Sequence, residues 1–374
     1  MWRGGLLALA LVLLEAVACA APSAPAGGAA VPAAPAGAVA GSTGASSAVG
    51  ASGATPAPGN AAAGSTAAPA PESLRFGLNT PTASVAPAWV AKDEGLFLKY
   101  GIDAELVPIP GGERIVAAVV SGEVPLTALA SSAMLSATLG GADLVFVGSW
   151  SNLLHYGLYA RPDIASVQEL RGKQVAVTGR AGINRRAMEL ALGRNGLDPA
   201  RDVTYIAAGQ STDALTALLT GAVSATMLTP PTSFRAEDEG MRLLVDTEEY
   251  HYPTILAGIA ASRAWVAQHE DLTRRALQAL AEGVAFARQN KERTKAIIGK
   301  WTQSDDASLL DRTYDATLPS WEKSLRAPPE ALRNDLDAMA EDVPAARDAS
   351  AEQFVDNRYV DELEREGFFA RLYP

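Results

Sequence analysis

The stretch "LRFGLNTPTASVAPAWVAKDEGLFLKYGIDAELVPI", residues 74–109, decides the fold. Residues 74–79 alternate as a strand and run into Asn-Thr-Pro, a turn signal. Ser84 stands where a helix cap is needed, and Val85, Ala88, Trp89, Lys92 and Leu96 then fall on one stripe of that helix. Gly101 supplies the stop, because glycine takes the left-handed conformation in which helices end. Residues 102–109 form a second strand. A strand, a helix and a strand within so few residues make a parallel βαβ unit.

The alternation continues toward the C-terminus. A helix from Glu113, a strand over 125–130, a helix from Ser131 and a strand over 144–150 extend this first series. A second series begins after "LHYGLYARP" (154–162): a short helix over 166–170, a strand over 174–178, a helix over 183–195, a strand over 203–207, a helix over 213–220 and a strand over 225–228. "YPTILAGIAAS" (252–262) reads as one more extended crossing. Beyond it the chain is almost wholly helical, with Leu272, Ala276, Leu280, Val284 and Ala287 marking one buried face of a long helix. The expected class is α/β with two small sheets, and no internal sequence repeat accompanies them.

Toward the N-terminus the character changes. Arg3, an apolar run over 6–14 and the small residues Ala16, Val17 and Ala18 ahead of Cys19 have the layout of an export signal over 1–18. The apolar run falls short of the about 20 residues that span a bilayer. Small residues followed by cysteine resemble the lipobox of bacterial lipoproteins, with Ala16 where a larger aliphatic residue is usual and Glu15 beside the apolar run. That resemblance implies that Cys19 carries a diacylglycerol anchor and becomes the new N-terminus. From Ala20 to Pro71 the chain is almost entirely Ala, Gly, Pro, Ser and Thr, too poor in bulky apolar groups to offset the entropy of ordering. Residues 19–72 are therefore expected to be a flexible tether.

Composition narrows the functions. With 374 residues and 48% hydrophobic content the chain can build two cores. A net charge of −11 and a pI of about 4.9 argue against nucleic acid or an anionic membrane surface as the main partner. A single cysteine excludes an intramolecular disulfide framework and a multi-thiolate metal site. "HEDLT" at His269 lacks the second histidine of the zinc-protease pattern, and His155 and His251 read as structural or solvent-facing. No nucleophile elbow, phosphate-binding P-loop or dinucleotide fingerprint occurs. No cofactor and no metal are expected.

"WVAKDEGLFLKYGIDAELV" (89–107), "IPGG" (109–112), "GEVPLTALASSAM" (122–134), "LRGKQVAVTG" (170–179) and "ALLTGAVSATML" (217–228) stand in an order that resembles the extracytoplasmic solute-binding proteins of the NMT1/THI5-like and sulfonate-binding group. The resemblance runs from residue 74 to the C-terminus. It implies the type II periplasmic-binding-protein fold, two α/β lobes joined by extended crossovers at 155–162 and 253–261, with lobe I over 73–157 and 260–374 and lobe II over 158–259. It further implies an exported, membrane-anchored receptor that faces the periplasm or the cell exterior. Such a receptor works as a monomer, closes its lobes on a small organic solute, anionic in one reading, and presents it to an ABC permease. Enzymes of the thiamine-pyrimidine and menaquinone pathways share this fold. The former use a lysine-bound pyridoxal phosphate, a histidine and a cysteine-rich segment that this chain lacks, and the latter work in the cytoplasm without an export signal. A tethered ligand sensor is a third reading.

In open α/β sheets ligands collect at the carboxyl ends of strands, beside helix N-termini. That geometry selects Asn79, Thr80, Pro81, Gly111, Gly112, Ser131, Ser132, Trp150 and Ser151 in lobe I, and Thr178, Gly179, Arg180, Gly182, Ile183, Asn184, Thr229 and Pro230 in lobe II. The Gly111 and Gly112 amides either face solute or only turn the chain. Ser131 and Ser132 either touch solute or cap a helix. Arg180, Arg185 and Arg186 crowd a helix start, which costs several tenths of a kcal/mol each unless an anion intervenes; Arg185 and Arg186 have Glu189 as an alternative partner. Trp150, Tyr156 and Tyr252 are either cleft walls or core, and Pro230-Pro231 shapes a rim.

Overall fold

The computed structural model describes residues 70–78, 82–180, 182–340 and 343–374, which fall in one compact unit. The expected export signal, Cys19, the tether through residue 69, and Asn79, Thr80 and Pro81 lie outside the described residues.

The first series consists of β1 (Glu72–Leu78), α1 (Ala86–Asp93), α2 (Leu96–Lys99), β2 (Ile102–Pro108), α3 (Gly112–Val120), β3 (Leu126–Leu129), α4 (Ser131–Leu139) and β4 (Leu144–Leu153). Gly101 does take the left-handed conformation, at φ 69°, but so does Gly95, and that second glycine splits the one expected helix into α1 and α2. Ser84 does not cap it. The Ser84 hydroxyl pairs with the Thr82 hydroxyl at 2.7 Å, and α1 starts instead with Pro87 in its first turn, where a missing N–H costs nothing.

The second series comprises β5 (Gly157–Ala160), β6 (Lys173–Val177), α5 (Ile183–Arg194), β7 (Val203–Ala207), α6 (Ser211–Leu219), β8 (Ala225–Leu228), α7 (Thr232–Asp238) and β9 (Arg242–Asp246). It is followed by β10 (Pro253–Ser262) and the helices α8 (Arg263–Gln268), α9 (Glu270–Gln289), α10 (Lys291–Thr302), α11 (Ala307–Thr317), α12 (Glu330–Met339), α13 (Arg358–Arg365) and α14 (Phe368–Leu372).

Two five-stranded sheets result, ordered β2-β1-β3-β10-β4 and β7-β6-β8-β5-β9. In the first, β1 pairs parallel with β2 (Leu74 opposite Ala104) and β3 (Gly77 opposite Thr127), while β10 runs antiparallel between β3 and β4. The second repeats the scheme: β6 is parallel to β7 and β8, and β5 is antiparallel to β8 and β9. Each sheet is thus entered by one antiparallel strand arriving from the other. Residues 253–261, expected as a crossover, are strand β10 of the first sheet. Its Ala257, Gly258 and Ile259 to Ala261 are buried, as befits a strand covered on both faces. The crossings themselves are shorter, 154–156 outward and 247–252 back. They lie side by side, with Leu154 N–H donating to the Tyr252 carbonyl at 3.1 Å and Thr247 N–H to the Tyr156 carbonyl at 2.9 Å.

Apolar layers cover both faces of both sheets. Phe76, Trp89, Trp150, Leu277 and Trp321 fill one side of the first sheet, and Ile115, Phe146, Leu332 and Phe354 the other. In the second sheet Val175, Val177, Met188 and Met227 pack under α5, and Tyr159, Leu215 and Leu228 under α6. The expected face of α9, Leu272, Ala276, Leu280, Val284 and Ala287, is buried throughout. Among the described residues no helix is long and apolar enough to cross a membrane.

Gly283 sits in the middle of α9 against α1, where a Cβ would press on the Pro87 carbonyl oxygen and lie 3.0 Å from the Ala91 methyl. Helix propensity alone makes Gly→Ala stabilising. Here the backbone contact wins, so Gly283→Ala is expected to lower stability by about 1–3 kcal/mol, read as a lower urea midpoint with an unchanged m value.

Candidate functional site

A narrow chamber of about 70 Å³ lies between the two sheets, at the carboxyl ends of β1, β3 and β6. Four helices start at its wall: α3 at Gly111 and Gly112, α4 at Ala130 and Ala133, α5 at Gly182, Ile183 and Asn184, and α6 at Ser211. Among the described residues, none of the four N-cap positions, Gly111, Ala130, Gly182 and Gln210, caps its helix with its own side chain. Each contributes partial positive charge, and together they favour an acceptor-rich or anionic group. Thr82, Ser84 and Val85 close one side, Thr178 and Gly179 the other, and Leu256 and Ala257 of β10 and Tyr156 of the outward crossing complete the wall.

The glycines shape the wall in two different ways. Gly111 and Gly182 have φ of 93° and 109°, and a Cβ on either would meet nothing within 4 Å, so a conformation that favours glycine turns the chain while keeping the wall thin. Gly112 is different. Its absent Cβ would be 2.7 Å from the Ala133 methyl, so glycine there lets α3 approach α4. Asn184, 4% exposed, staples the far wall: its Oδ1 accepts from the Thr178 N–H at 3.1 Å and its Nδ2 donates to the Met227 carbonyl at 2.9 Å.

Of the other residues selected from the sequence, several stand behind the wall instead of in it. Trp150 is fully buried, and its indole N–H donates to the Ser84 carbonyl at 2.9 Å, supporting the lining from the core side. Ser131 does not cap α4, whose N-cap is Ala130. Its hydroxyl donates to Asp335 Oδ2 at 2.6 Å, where Thr254 also donates at 2.7 Å. Burial raises the pKa of the Asp335 carboxyl, opposed by these two hydroxyls and by Arg186 nearby. Ser132 borders a separate groove with Arg180, Arg185 and Arg186, and Ser151 is buried in β4. The Thr229 carbonyl accepts from Thr232 and Ser233 at the start of α7, ahead of the cis Pro230-Pro231 bond. Tyr252 packs in the second core, and burial pushes its phenol up to about 12. Arg185 pairs with Glu189 at 2.8 Å and lies 4.0 Å above the Tyr205 ring.

Arg180 takes part in a second, roomier chamber of about 510 Å³ that opens outward from the first and shares Gly111, Gly112, Thr178 and Gly179 with it. Glu113 and Arg114 of α3 and Asp213 of α6 are its other charged residues. Elsewhere the lobes meet through Arg312 of α11, which pairs with Glu237 at 2.6 Å and Asp238 at 2.8 Å of α7 and lies 4.3 Å from the Phe234 ring. The sequence reading missed Ser84 as lining because it was assigned a capping role, and it missed Ser211 although the strand-end rule applied to β7 would have found it.

Two matched α/β lobes that meet on a chamber of helix N-termini are the architecture of the two-lobed periplasmic-binding-protein fold. The chain belongs to the NMT1/THI5-like family, whose model matches residues 82–294. The riboflavin-binding protein RibY of Chloroflexus aurantiacus is 25% identical over 289 residues, covering 73% of this chain and 81% of that protein. Among solved structures, the alkanesulfonate-binding protein SsuA of Xanthomonas axonopodis pv. citri bound to MOPS superposes with a TM-score of 0.64 at 19% identity, covering 77% of this chain and 99% of that one. The periplasmic nitrate-binding protein NrtA of Synechocystis PCC 6803 gives 0.68 at 14%, covering 82% and 92%. These likenesses establish the periplasmic-binding-protein fold.

His155, in the outward crossing next to Tyr156, is 6% exposed, and burial lowers its pKa from 6.5 to about 4. Between those values the unfolded chain binds a proton that the folded chain refuses, so stability falls as pH drops from 6.5 toward 4, with no further loss from this group below. The span corresponds to about 3 kcal/mol. Comparing unfolding free energies of the unaltered chain and His155→Gln over that range should show the variant lacking this increment of acid sensitivity.

Proposed function

We propose that this chain is an exported receptor that captures a small organic solute between its lobes and delivers it to an ABC permease. The observation that carries the reading is the convergence of four helix N-termini on one inter-lobe chamber. Such a chamber suits a head group with carbonyl or anionic acceptors. Among the described residues its lining holds no carboxylate, histidine, lysine or cysteine, which favours binding over catalysis. The layout around Cys19 supports a diacylglycerol anchor on a tether over 19–72, with lobes assigned by sheet on either side of the paired crossings.

Closure is a hinge equilibrium at 154–156 and 247–252, driven by the solute's contacts with both lobes. RibY, a relative by sequence, makes riboflavin the first solute to test, and the acceptor-bearing edge of the flavin ring matches the chamber's polarity. In a thermal-shift panel of riboflavin, aliphatic sulfonates and nitrate, a true ligand at a hundred times its Kd should stabilise the chain by about 2.7 kcal/mol. A panel in which none of these raises the midpoint would leave the flavin and anion assignments without support.

The Arg312 ion pairs with α7 favour the closed arrangement. Arg312→Ala should weaken solute binding about two- to fivefold by reducing the closed fraction. Titration calorimetry checks this, with unaltered affinity counting against closure at this contact.

A further inference from the structure

The outer chamber carries four ionisable side chains, and their placement specifies what kind of group can lie there. Glu113 and Arg114 come from the first turn of α3 in the first lobe; Arg180 and Asp213 come from the second lobe, the latter from the first turn of α6. Among the described residues none of the four has an ion-pair or hydrogen-bond partner, although Arg75, Arg161, Arg185 and Arg312 each find a carboxylate. Each lobe thus offers one cation and one anion to a shared space, and the chamber is charge-balanced.

A phosphate or sulfonate placed there would gain two guanidinium groups and meet two carboxylates. A row of hydroxyl groups meets no such conflict, because every hydroxyl both donates and accepts: the carboxylates take its protons and the guanidinium groups supply theirs. The inner chamber, of about 70 Å³ and walled by the backbone at Gly111, Gly112, Gly179 and Gly182, holds none of these four ionisable side chains. We infer that the part of the solute lying in the outer chamber is an uncharged polyhydroxyl chain, with Glu113, Arg114, Arg180 and Asp213 determining specificity for it. This rests on the receptor reading above and on riboflavin as its first test solute.

The test compares three probes on the full chain by titration calorimetry: riboflavin, lumichrome, which has the ring without the hydroxylated chain, and flavin mononucleotide, which adds a phosphate to that chain. Riboflavin is expected to bind at least tenfold more tightly than lumichrome and tighter than the mononucleotide. In Glu113→Gln/Asp213→Asn the preference should reverse, the mononucleotide gaining at least tenfold relative to riboflavin, a gain that misfolding does not produce. Riboflavin and lumichrome binding alike, the mononucleotide binding best to the unaltered chain, or a probe ratio unmoved by the double variant would each overturn the inference while leaving the flavin reading intact. If none of the three probes binds, the flavin reading itself fails and the inference with it.

Discussion

Strand β10 enters the first sheet antiparallel between β3 and β4, and the arrangement of both lobes follows from that insertion. Gly258 makes it possible: any Cβ there would collide with the Phe146 ring and the Ile255 side chain, which close over the strand. Once β10 is in place, Leu256 and Ala257 line the chamber, and Thr254 joins Ser131 on the buried Asp335 of α12. The same strand fixes where the return crossing ends, so it lies beside the outward one. Sheet packing, chamber and hinge are therefore set by a single pairing decision.

The chamber is hospitable because of what it lacks. Helix starts in proteins usually recruit a serine, threonine or aspartate side chain to satisfy their free amides. Here α3 and α5 begin at glycines with positive φ, α4 begins after Ala130 and α6 after Gln210, and none of these four residues caps its helix with its own side chain. The stabilisation of about 1 kcal/mol that a good N-cap side chain brings is thus not drawn from any of these four residues. Trp150 and Asn184 hold the surrounding loops from behind, so the wall keeps its shape without contributing charged groups of its own.

Most of the strand-helix alternation was legible because each element is short, bounded by glycine or proline, and consistent with its own period. Strands β7 and β8 fall on the residues expected from sequence. The segment holding α7 and β9 was not legible: α7 buries only Thr232, Ser233 and Ala236 and carries no apolar stripe, and the apolar residues of the edge strand β9, Leu243, Leu244 and Val245, are consecutive and lack the alternation of a half-buried strand. The extended character of β10 was visible, but its sheet was not, since pairing depends on residues more than a hundred positions away. At the site, the strand-end rule picked out Gly111, Gly112, Thr178, Gly179, Gly182, Ile183 and Asn184, which line the inner chamber. It misjudged Trp150 and Ser131, because the rule gives a residue's position along a strand or helix and not the direction of its side chain. Arg114, Asp213 and Arg312 had no local pattern to mark them; their roles come from residues on the opposite lobe.

The insertion of one lobe into the other also dictates an order of assembly. The second sheet is built from one continuous segment, so it can close as soon as that segment emerges from a ribosome or a translocation channel. The first cannot: its β10 follows the whole of the second sheet, and core residues such as Trp321, Tyr359 and Phe369 come later still. Much of its apolar surface stays uncovered until the C-terminal helices have been delivered. A polypeptide with this connectivity holds one finished sheet in the middle of its sequence while both flanks wait for each other, so its larger half is the last to be completed.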